Sequence, residues 1–533
     1  MFNDGADPTR VDPIAMGGIS PGVTIPGIMI SSVDGDALAS STDTLVGRLS
    51  PAIQEARPNR IATFSSRGPN GFTPDVLKPD LVAPGVQILS AGSPLGGIFD
   101  GGLFSVISGT SFSSPHMAGL FALLKERNPD WSPAAARSAF MTSGRQNILE
   151  TFREDAATPF DLGGGMVVPS RALNTGLVYE ADIVDYSGYA CGQGIVFDAE
   201  TCAVVEQAGA PTEPSQLNYP SITASSVVGE KVITRTVTNV SPRFRIWKAK
   251  VDAPPGFSVE VSPRFLFLRK GESKTYTMTI RADEDTPVGE WRFGSLTWFS
   301  GFGRGNAPVR SPISVRKERF VAPAELDLEG VTGDAEFDVF FGYNGEYTAQ
   351  VHGLNDGGLT AATVEDDPTD TFAFFGPGTA IAFLADLPEN TAYARWQLFD
   401  QYTTGTNDDV DLYLFYCPDF DCQQIASSGN SGSNEMVEVL FPTSDPAIDD
   451  PYLVFAHGFN TDGGLPSDLL LFDYNFGVVD DAGNLTVVEA PDSASFGDSE
   501  SVRVEWTGLN EGIGFRQLGA ISHSDESGIQ ALT

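Results

Sequence analysis

The chain has 533 residues and a formal net charge of −38, because 70 acidic side chains stand against 32 basic ones. This length allows several domains that each bury their own core. The acidic balance argues against a protein that binds nucleic acid or an anionic membrane through a basic face. No apolar run approaches the roughly 20 residues that a membrane-spanning helix needs, and 57 glycines with 36 prolines favour a β-rich architecture.

The four cysteines come as two close pairs, Cys191 with Cys202 and Cys417 with Cys422. An even number of cysteines at such local spacings is typical of disulfides in a secreted protein. The alternative is four free buried thiols, which the polar, Gly- or Asp-bearing sequence around each pair disfavours. No CxxC spacing or nearby histidine pattern indicates a structural metal site.

The first predicted elements lie in residues 1–45. A β-branched run at residues 22–31 predicts a strand, and residues 32–38 predict a short helix after it. By themselves these patterns are also typical of an ordinary surface strand and helix.

Residues 57–148 hold short apolar runs at 61–64, 81–83 and 104–107. Such runs between turn signals are typical of strands that are buried on both faces of a parallel α/β sheet. The third run ends at Gly109, where a missing side chain allows a sharp turn, and a helical pattern follows at once. We therefore expect Ser111 at the amino end of a helix, where free N–H groups and the helix dipole stabilise a developing oxyanion.

The stretch FSVISGTSFSSPHMAG at residues 104–119 resembles the nucleophile segment of subtilisin-like serine proteases, the subtilases. The stretches FSSRGPN at 64–70, KPDLVAPG at 78–85 and NPDWSP at 128–133 resemble the same family in the same order. The resemblance implies a serine-type endopeptidase of the peptidase S8 family with Ser111 as nucleophile. It also implies protein or peptide substrates and no cofactor for the chemistry.

No residue in this part of the chain is a candidate for the base that a nucleophilic serine needs. A serine hydroxyl becomes reactive when a neighbouring base, usually a histidine, takes its proton, and the first histidine is His116. In subtilases the aspartate, the histidine and the oxyanion asparagine precede the serine, and the family suggests that His116 is a packed structural residue. We expect the chain to be the C-terminal portion of such a protease, inactive alone, with the signal peptide of the secreted protein in the missing N-terminal part.

The resemblance predicts a multidomain protein. It implies that residues 1–45 are the end of a protease-associated insert, 46–148 the last part of an incomplete α/β catalytic domain, and 149–215 a connector. Residues 216–316 resemble the fibronectin type III-like β-sandwich of these proteases. The resemblance includes alternating runs at 232–240, 257–261, 274–280 and 294–298. In that family the sandwich packs against the catalytic domain.

Residues 320–533 form a further acidic, β-rich region. Apolar runs at 382–384, 410–416, 436–440, 452–456 and 502–506 predict strands. The region weakly resembles the jelly-roll-like C-terminal modules of secreted bacterial proteases.

Asp409 and Asp411 are a candidate calcium site. The two residues are two apart, so on a strand their carboxylates would lie on one face, near Asp408. Ca²⁺ prefers several hard oxygen ligands such as these. The alternative is a solvated acidic edge, which is common in so acidic a chain.

Three functions remain open on the sequence. The leading one is an extracellular subtilisin-like endopeptidase whose Asp, His and Asn lie outside this sequence. The second is a noncatalytic secreted β-sandwich binding or adhesion protein with a protease remnant. The third has a separate polypeptide that supplies the missing half. The sequence predicts neither cleavage preference nor oligomeric state.

Overall fold

The computed structural model describes residues 58–92, 103–151, 154–194, 199–301, 306–374, 376–385, 387, 391–418, 422–440, 442, 452–477, 482–510 and 516–533. The chain divides into two compact units, Met1–Glu318 and Arg319–Thr533. The insert predicted for residues 1–45 lies outside the described residues. None of the described helices is long and apolar enough to cross a membrane.

The helices of the first unit precede most of its strands. Within its described residues they are α1 Thr110–Arg127, α2 Pro133–Thr142, α3 Pro159–Leu162, α4 Pro169–Ala172, α5 Ile183–Gly192 and α6 Ala199–Gln207. Helix α2 shows why these segments are helical: Pro133 takes its first position and the Ser132 hydroxyl accepts the Ala135 N–H at 2.9 Å. The small side chains of its buried alanines allow α2 to pack closely in the core, where Phe140 lies beside Leu124 of α1.

Of the three strands predicted within residues 57–148, the run at 104–107 alone forms a strand among the described residues. Strands β1 Ile88–Ala91 and β2 Phe104–Ile107 form an antiparallel pair. Residues 61–64 lie outside any strand, and Leu81 and Val82 make isolated bridges. Phe104 is 70% exposed and Val106 64% exposed, so β2 is not buried on both faces. A four-residue apolar run predicts that the segment is a strand. It does not predict which strand pairs with it or which part of the protein covers its faces.

The second part of the first unit is a β-sandwich of two sheets, ordered β3-β5-β9-β7 and β4-β11-β10-β6-β8. Its strands are β3 Leu177–Tyr179, β4 Ile222–Val227, β5 Glu230–Asn239, β6 Arg245–Asp252, β7 Phe257–Ser262, β8 Phe265–Leu268, β9 Ser273–Ala282, β10 Trp291–Gly301 and β11 Val309–Lys317. All four alternating runs predicted here are confirmed as strands. Trp247, Tyr276 and Trp298 are almost completely buried between the sheets.

The region predicted as a connector, residues 149–215, is structured. It holds α3 to α6, and its strand β3 pairs antiparallel with β5 at the edge of a sandwich sheet. The buried Tyr179 hydroxyl on β3 is 2.9 Å from the Tyr276 hydroxyl. The glycine run at residues 163–165 predicts either close backbone packing or a flexible joint. Gly163 has φ +58° and its backbone lies against the Pro79 and Asp80 carbonyls, too close for a side chain, so close packing is confirmed there.

The sandwich and the helical part of the first unit are in contact. Phe160 of α3 meets Trp291 and Phe293 of β10 edge-on, with ring centroids 4.9 and 5.1 Å apart. The Tyr219 hydroxyl donates to Asp80 Oδ1 at 2.5 Å, and the Arg137 guanidinium lies 4.6 Å from the Tyr219 ring centroid. Apolar, polar and cation–π contacts therefore join the two parts.

Both predicted cysteine pairs are confirmed as disulfides. The Cys191–Cys202 bond joins α5 to α6, and the Cys417–Cys422 bond closes a short loop in the second unit. No cysteine of the sequence is left as a free thiol.

The second unit contains two packed sets of sheets rather than one. Its strands are β12 Phe320–Val321, β13 Gly333–Phe341, β14 Gly345–Glu346, β15 Thr348–Asp356, β16 Gly358–Val364, β17 Thr379–Ala385, β18 Thr391–Gln397, β19 Asp409–Tyr416, β20 Gln423–Ser428, β21 Met436–Leu440, β22 Tyr452–Asn460, β23 Ser467–Gly477, β24 Leu485–Glu489, β25 Ser493–Ala494, β26 Ser499–Trp506, β27 Gln517–Asp525 and β28 Gly528–Leu532. Each of the five runs predicted here lies in one of these strands.

The two largest cores of the second unit are joined by a smaller cluster of Tyr393, Phe476 and Ala520. Sheets β16-β23-β18-β21 and β17-β22-β19-β20 enclose one core, which includes Trp396, Leu412 and Val454. Sheets β12-β13-β26-β24 and β15-β27-β28 contribute to the other, which includes Phe337 and Trp506. The more specific jelly-roll-like assignment stays a prediction.

Candidate active site

Ser111 is the second residue of α1, as predicted, and its side chain is exposed. Gly109 is the N-cap residue; among the described residues no side chain caps this helix end, and no acidic residue lies in its first turn. The Ser111 N–H therefore has no carbonyl one turn earlier within the helix. Gly109 has φ 163°, an extended conformation open to any residue, so the expected sharp glycine turn is not what forms this corner.

The loop at residues 83–87 holds the corner in place through three hydrogen bonds. The Gly109 N–H donates to the Gly85 carbonyl at 2.8 Å, and the Ser113 hydroxyl donates to the Ala83 carbonyl at 3.0 Å. The Gln87 N–H donates to the Ser108 hydroxyl at 2.8 Å. The end of the KPDLVAPG stretch thus positions the residues on both sides of Ser111, a role that the sequence alone did not reveal.

Gly85→Ala tests this support. A Cβ at Gly85 would overlap the Ser113 hydroxyl and come within 2.9 Å of the Gly109 carbonyl oxygen. We expect a loss of about 1–3 kcal/mol in the free energy of unfolding. In the presence of polypeptide that supplies the base, displacement of Ser111 should slow its labelling by a fluorophosphonate about 10²-fold. Gly71→Ala is the matched control because its added methyl group meets open space. Equal stability and equal Ser111 reactivity in the two variants would refute the support role.

Two segments of the chain match family models. Residues 18–165 match the subtilase family, and residues 216–315 match the fibronectin type-III domain. The resemblance to subtilases is confirmed. Residues 18–165 are called the subtilase segment below.

The relatives are plant proteases. Subtilisin-like protease SBT3.15 of Arabidopsis thaliana is 40% identical over 289 residues, which cover 52% of this chain and 36% of the relative. Subtilisin-like protease SBT3.13 of the same plant is 41% identical over 268 residues, covering 48% and 34%. The chain thus spans about a third of the length of these curated relatives. Among solved structures, SSP-19 of Caenorhabditis elegans aligns with 18% of this chain and 94% of its own at 16% identity, with a TM-score of 0.14.

The structure places no histidine as a base for Ser111 among the described residues. His116 is exposed, and its Nδ1 lies 2.7 Å from the Phe112 carbonyl oxygen of the same helix. Five residues along a helix correspond to a rotation of about 140°, which turns His116 away from Ser111. The expectation that His116 is packed is wrong here, since this face of α1 is open to solvent.

The other three histidines are buried in the second unit. His352, His457 and His523 are all 0% exposed. His352 Nε2 lies 2.9 Å from the Ser522 hydroxyl, and His523 Nδ1 lies 2.7 Å from the Tyr347 hydroxyl. Burial lowers the pKa of His523 to about 4. These rings are structural within their own unit.

Asp80 of the subtilase segment is engaged in structure rather than chemistry. Its Oδ1 accepts hydrogen bonds from Lys78 Nζ at 2.8 Å and from the Tyr219 hydroxyl at 2.5 Å. Burial, and then the negative charge of Asp80, raises the pKa of Tyr219 well above its usual value. Asp80 therefore braces the loop against the sandwich.

The candidate calcium ligands lie at the start of β19. Asp409 Oδ1 accepts the Gly432 N–H at 3.3 Å, whereas Asp411 is nearly buried and accepts the Tyr413 hydroxyl at 3.2 Å. Within the described part of the chain, no three His, Cys, Asp or Glu side chains are arranged to hold a metal ion. Calcium binding by Asp409 and Asp411 stays a prediction.

A buried histidine beside Asp411 was missed by the sequence analysis. His457 of β22 lies between two carboxylates, with Nε2 3.0 Å from Asp367 Oδ2 and Nδ1 3.7 Å from Asp411 Oδ2. Burial alone would lower the pKa of His457, but its contacts with Asp411 and Asp367 outweigh burial and raise the pKa. The His457 hydrogen bond, with the Thr369 N–H, lowers the pKa of Asp367 to about 2. No local pattern connects residues 90 positions apart.

Asp367→Asn tests the His457–Asp367 pair. The lowered Asp367 pKa contributes stability that is present above its ordinary pKa of 3.8 and is lost as pH falls through about 2. The raised His457 pKa contributes stability that is present below its ordinary pKa of 6.5 and is lost as pH rises through the raised value. We therefore expect Asp367→Asn to lower the unfolding midpoint of the full chain most between about pH 4 and 6.5.

Calorimetry from pH 2 to 9 measures this difference. Glu435, whose pKa burial raises to about 7, titrates in both proteins and cancels in the comparison. Asp370→Asn is the control, because Asp370 is exposed in the same loop. If the difference in unfolding midpoint between Asp367→Asn and the unaltered chain stayed constant across the pH range, the assignment of a His457–Asp367 ion pair would be wrong.

Proposed function

We propose that this chain supplies the nucleophile of a secreted subtilisin-like serine endopeptidase that hydrolyses peptide bonds in protein substrates. The observation that carries the proposal is the exposed Ser111 at the uncapped amino end of α1, inside the segment that matches the subtilase family. The plant relatives bear the name subtilisin-like protease.

The chemistry assigned to Ser111 is acyl transfer. A base takes the hydroxyl proton while Oγ forms a bond to the peptide carbonyl carbon, and the carbonyl oxygen becomes an oxyanion. The Ser111 N–H and the amino end of α1 stabilise that oxyanion, since both present positive partial charge. The C–N bond then breaks, the amine leaves with the proton from the base, and water hydrolyses the ester on Ser111.

The base comes from polypeptide outside these 533 residues. His116 faces away from Ser111 and the other three histidines are buried in the second unit. The base reaches Ser111 either in the same polypeptide or from a separate one, and the two routes require the same chemistry.

Complementation tests the proposal. The chain is produced alone and together with a polypeptide that carries the Asp, His and Asn regions of a plant subtilase, and both samples are treated with a fluorophosphonate probe. We expect labelling in the complemented sample alone, lost in Ser111→Ala. Absence of labelling despite formation of the complex, shown by co-purification, would favour the noncatalytic binding protein instead.

A further inference from the structure

The outward face of the five-stranded sheet in the first unit carries exposed aromatic and basic side chains. They are Phe265 and Phe267 of β8, Lys248 and Lys250 of β6, and Phe299 of β10, together named the Phe–Lys face. The three phenylalanines are 48%, 49% and 41% exposed. An exposed phenylalanine loses the burial free energy that a core position would provide, so a group of three indicates a surface that is covered by something else.

The strand register brings these side chains together in rows. Lys248 lies opposite Phe299 on one side and opposite Phe265 on the other. The ammonium of Lys248 is 5.8 Å from the centroid of the Phe265 ring, within range of a weak cation–π contact. Neighbouring residues that point inward, such as Leu266 and Leu268, are fully buried. The sandwich therefore has its own complete core, and the phenylalanines outside it do not contribute to it.

A recess lies beside the face. It is a shallow, open depression of about 600 Å³ next to Phe267, with Phe244, Arg269, Lys270 and Glu272 along its wall. An apolar side chain in this depression would contact two aromatic rings and lie close to two cationic groups and one carboxylate.

The charge of this region is opposite to that of the chain. On its outward side, β6 carries Lys248, Lys250 and Asp252 at alternate positions, and Arg310 of β11 lies level with Lys250 across Thr297 of β10, in a chain of net charge −38. Exposed charges act over about one Debye length, roughly 8 Å at physiological salt. A short acidic segment on the Phe–Lys face would therefore meet local positive charge, whereas a long polyanion would also meet the acidic remainder of the protein.

We propose that the Phe–Lys face binds an extended acidic polypeptide segment, whose apolar side chains cover the phenylalanines and whose carboxylates pair with Lys248 and Lys250. Strand β8 is the terminal strand of its sheet, and an edge strand offers backbone donors and acceptors to an incoming extended chain. Phenylalanine provides no hydrogen-bonding group, so the surface suits aliphatic and aromatic side chains better than sugar hydroxyls. Successive side chains of an extended segment point to opposite faces, so the apolar and acidic residues of the partner must both lie at positions i and i+2 on the side of the Phe–Lys face.

Fluorescence anisotropy of the full chain tests the proposal. The probe is a labelled eight-residue peptide, the Val–Glu peptide, in which Val and Glu take turns at every second position with Thr between them. It is compared with Val–Lys and Ser–Glu peptides of the same layout and length. We expect the Val–Glu peptide to bind at least about tenfold more tightly than either comparison peptide. Its affinity should fall as salt increases, because the charges are exposed.

Variants locate the binding surface. Phe265→Thr/Phe267→Thr removes apolar area and keeps strand-forming residues, and Lys248→Glu/Lys250→Glu inverts the charge. Each double variant should weaken Val–Glu binding about tenfold or more, and the charge inversion should favour the Val–Lys peptide. Phe340→Thr, which alters a 41% exposed phenylalanine in the second unit, and Lys274→Glu on β9 of the opposite sheet are the matched controls.

Three results would overturn the proposal. The first is that the Val–Glu peptide does not bind at millimolar concentration, or that it binds both double variants with the same affinity as the unaltered chain. The second is binding of polygalacturonate through the same residues without peptide binding, which would assign the face to an anionic sugar. The third is concentration-dependent self-association that the double variants abolish without peptide binding, which would make a second copy of this chain the occupant.

Discussion

Ser111→Ala is expected to lower kcat/KM of the complemented protease by about 10⁴-fold or more, and to abolish fluorophosphonate labelling. The reason is that Ser111 Oγ forms the covalent bond to the substrate, and none of the neighbouring hydroxyls occupies its place at the amino end of α1 within the described residues. The residual rate would come from substrate binding and oxyanion stabilisation by the remaining N–H groups. Hydrolysis of a fluorogenic peptide by the complemented sample measures the change.

Ser114→Ala is the matched control for this substitution. Ser114 is exposed on the same helix, three residues further along, and differs from Ser111 by its position relative to the helix end. We expect near-normal activity and labelling in this variant. Activity that survives in Ser111→Ala and disappears in Ser114→Ala would mean that the nucleophile has been assigned to the wrong serine.

Phe160→Ala is expected to lower the free energy of unfolding by about 3–5 kcal/mol, the usual cost of removing a buried phenylalanine. Phe160 is almost completely buried, and its ring packs edge-on against Trp291 and Phe293 of the sandwich. Its backbone carbonyl accepts the Gly68 N–H at 3.0 Å, so the residue links the subtilase segment to β10. Urea unfolding of the full chain, followed by tryptophan fluorescence, measures the loss.

The exposed Phe340→Ala in the second unit serves as the control for Phe160→Ala, with an expected change below about 1 kcal/mol. If the subtilase segment and the sandwich unfolded in two separate transitions in the unaltered protein, with neither affected by Phe160→Ala, the contact would have no energetic role.

The sandwich was predictable because its strands alternate between core and solvent. Residues 232–240 were expected as a strand and form β5 Glu230–Asn239, with Ile233 and Val237 buried. Strand β8 was missed because all four of its residues are apolar, so the sequence shows no alternation although two of them face solvent. The exposed pair belongs to the Phe–Lys face, where the usual relation between apolarity and burial does not hold.

The candidate site was predictable where its parts are close in sequence. Gly109, Ser111 and the following helix form one continuous stretch, so the position of Ser111 followed from the local pattern. The contacts of Gly85 with this corner, and the pairing of His457 with Asp367, join residues that are far apart along the chain. Local sequence patterns carry no information on contacts between distant residues, so these contacts are identified from the folded structure.

The most direct measurement is the site of covalent modification in the complemented protease. The sample is treated with a fluorophosphonate, digested, and its peptides are sequenced by mass spectrometry. We predict a single adduct on Ser111 in the peptide that contains residues 109–119. An adduct on any other serine, or none in a complex that hydrolyses peptides, would contradict the assignment of Ser111 as the nucleophile.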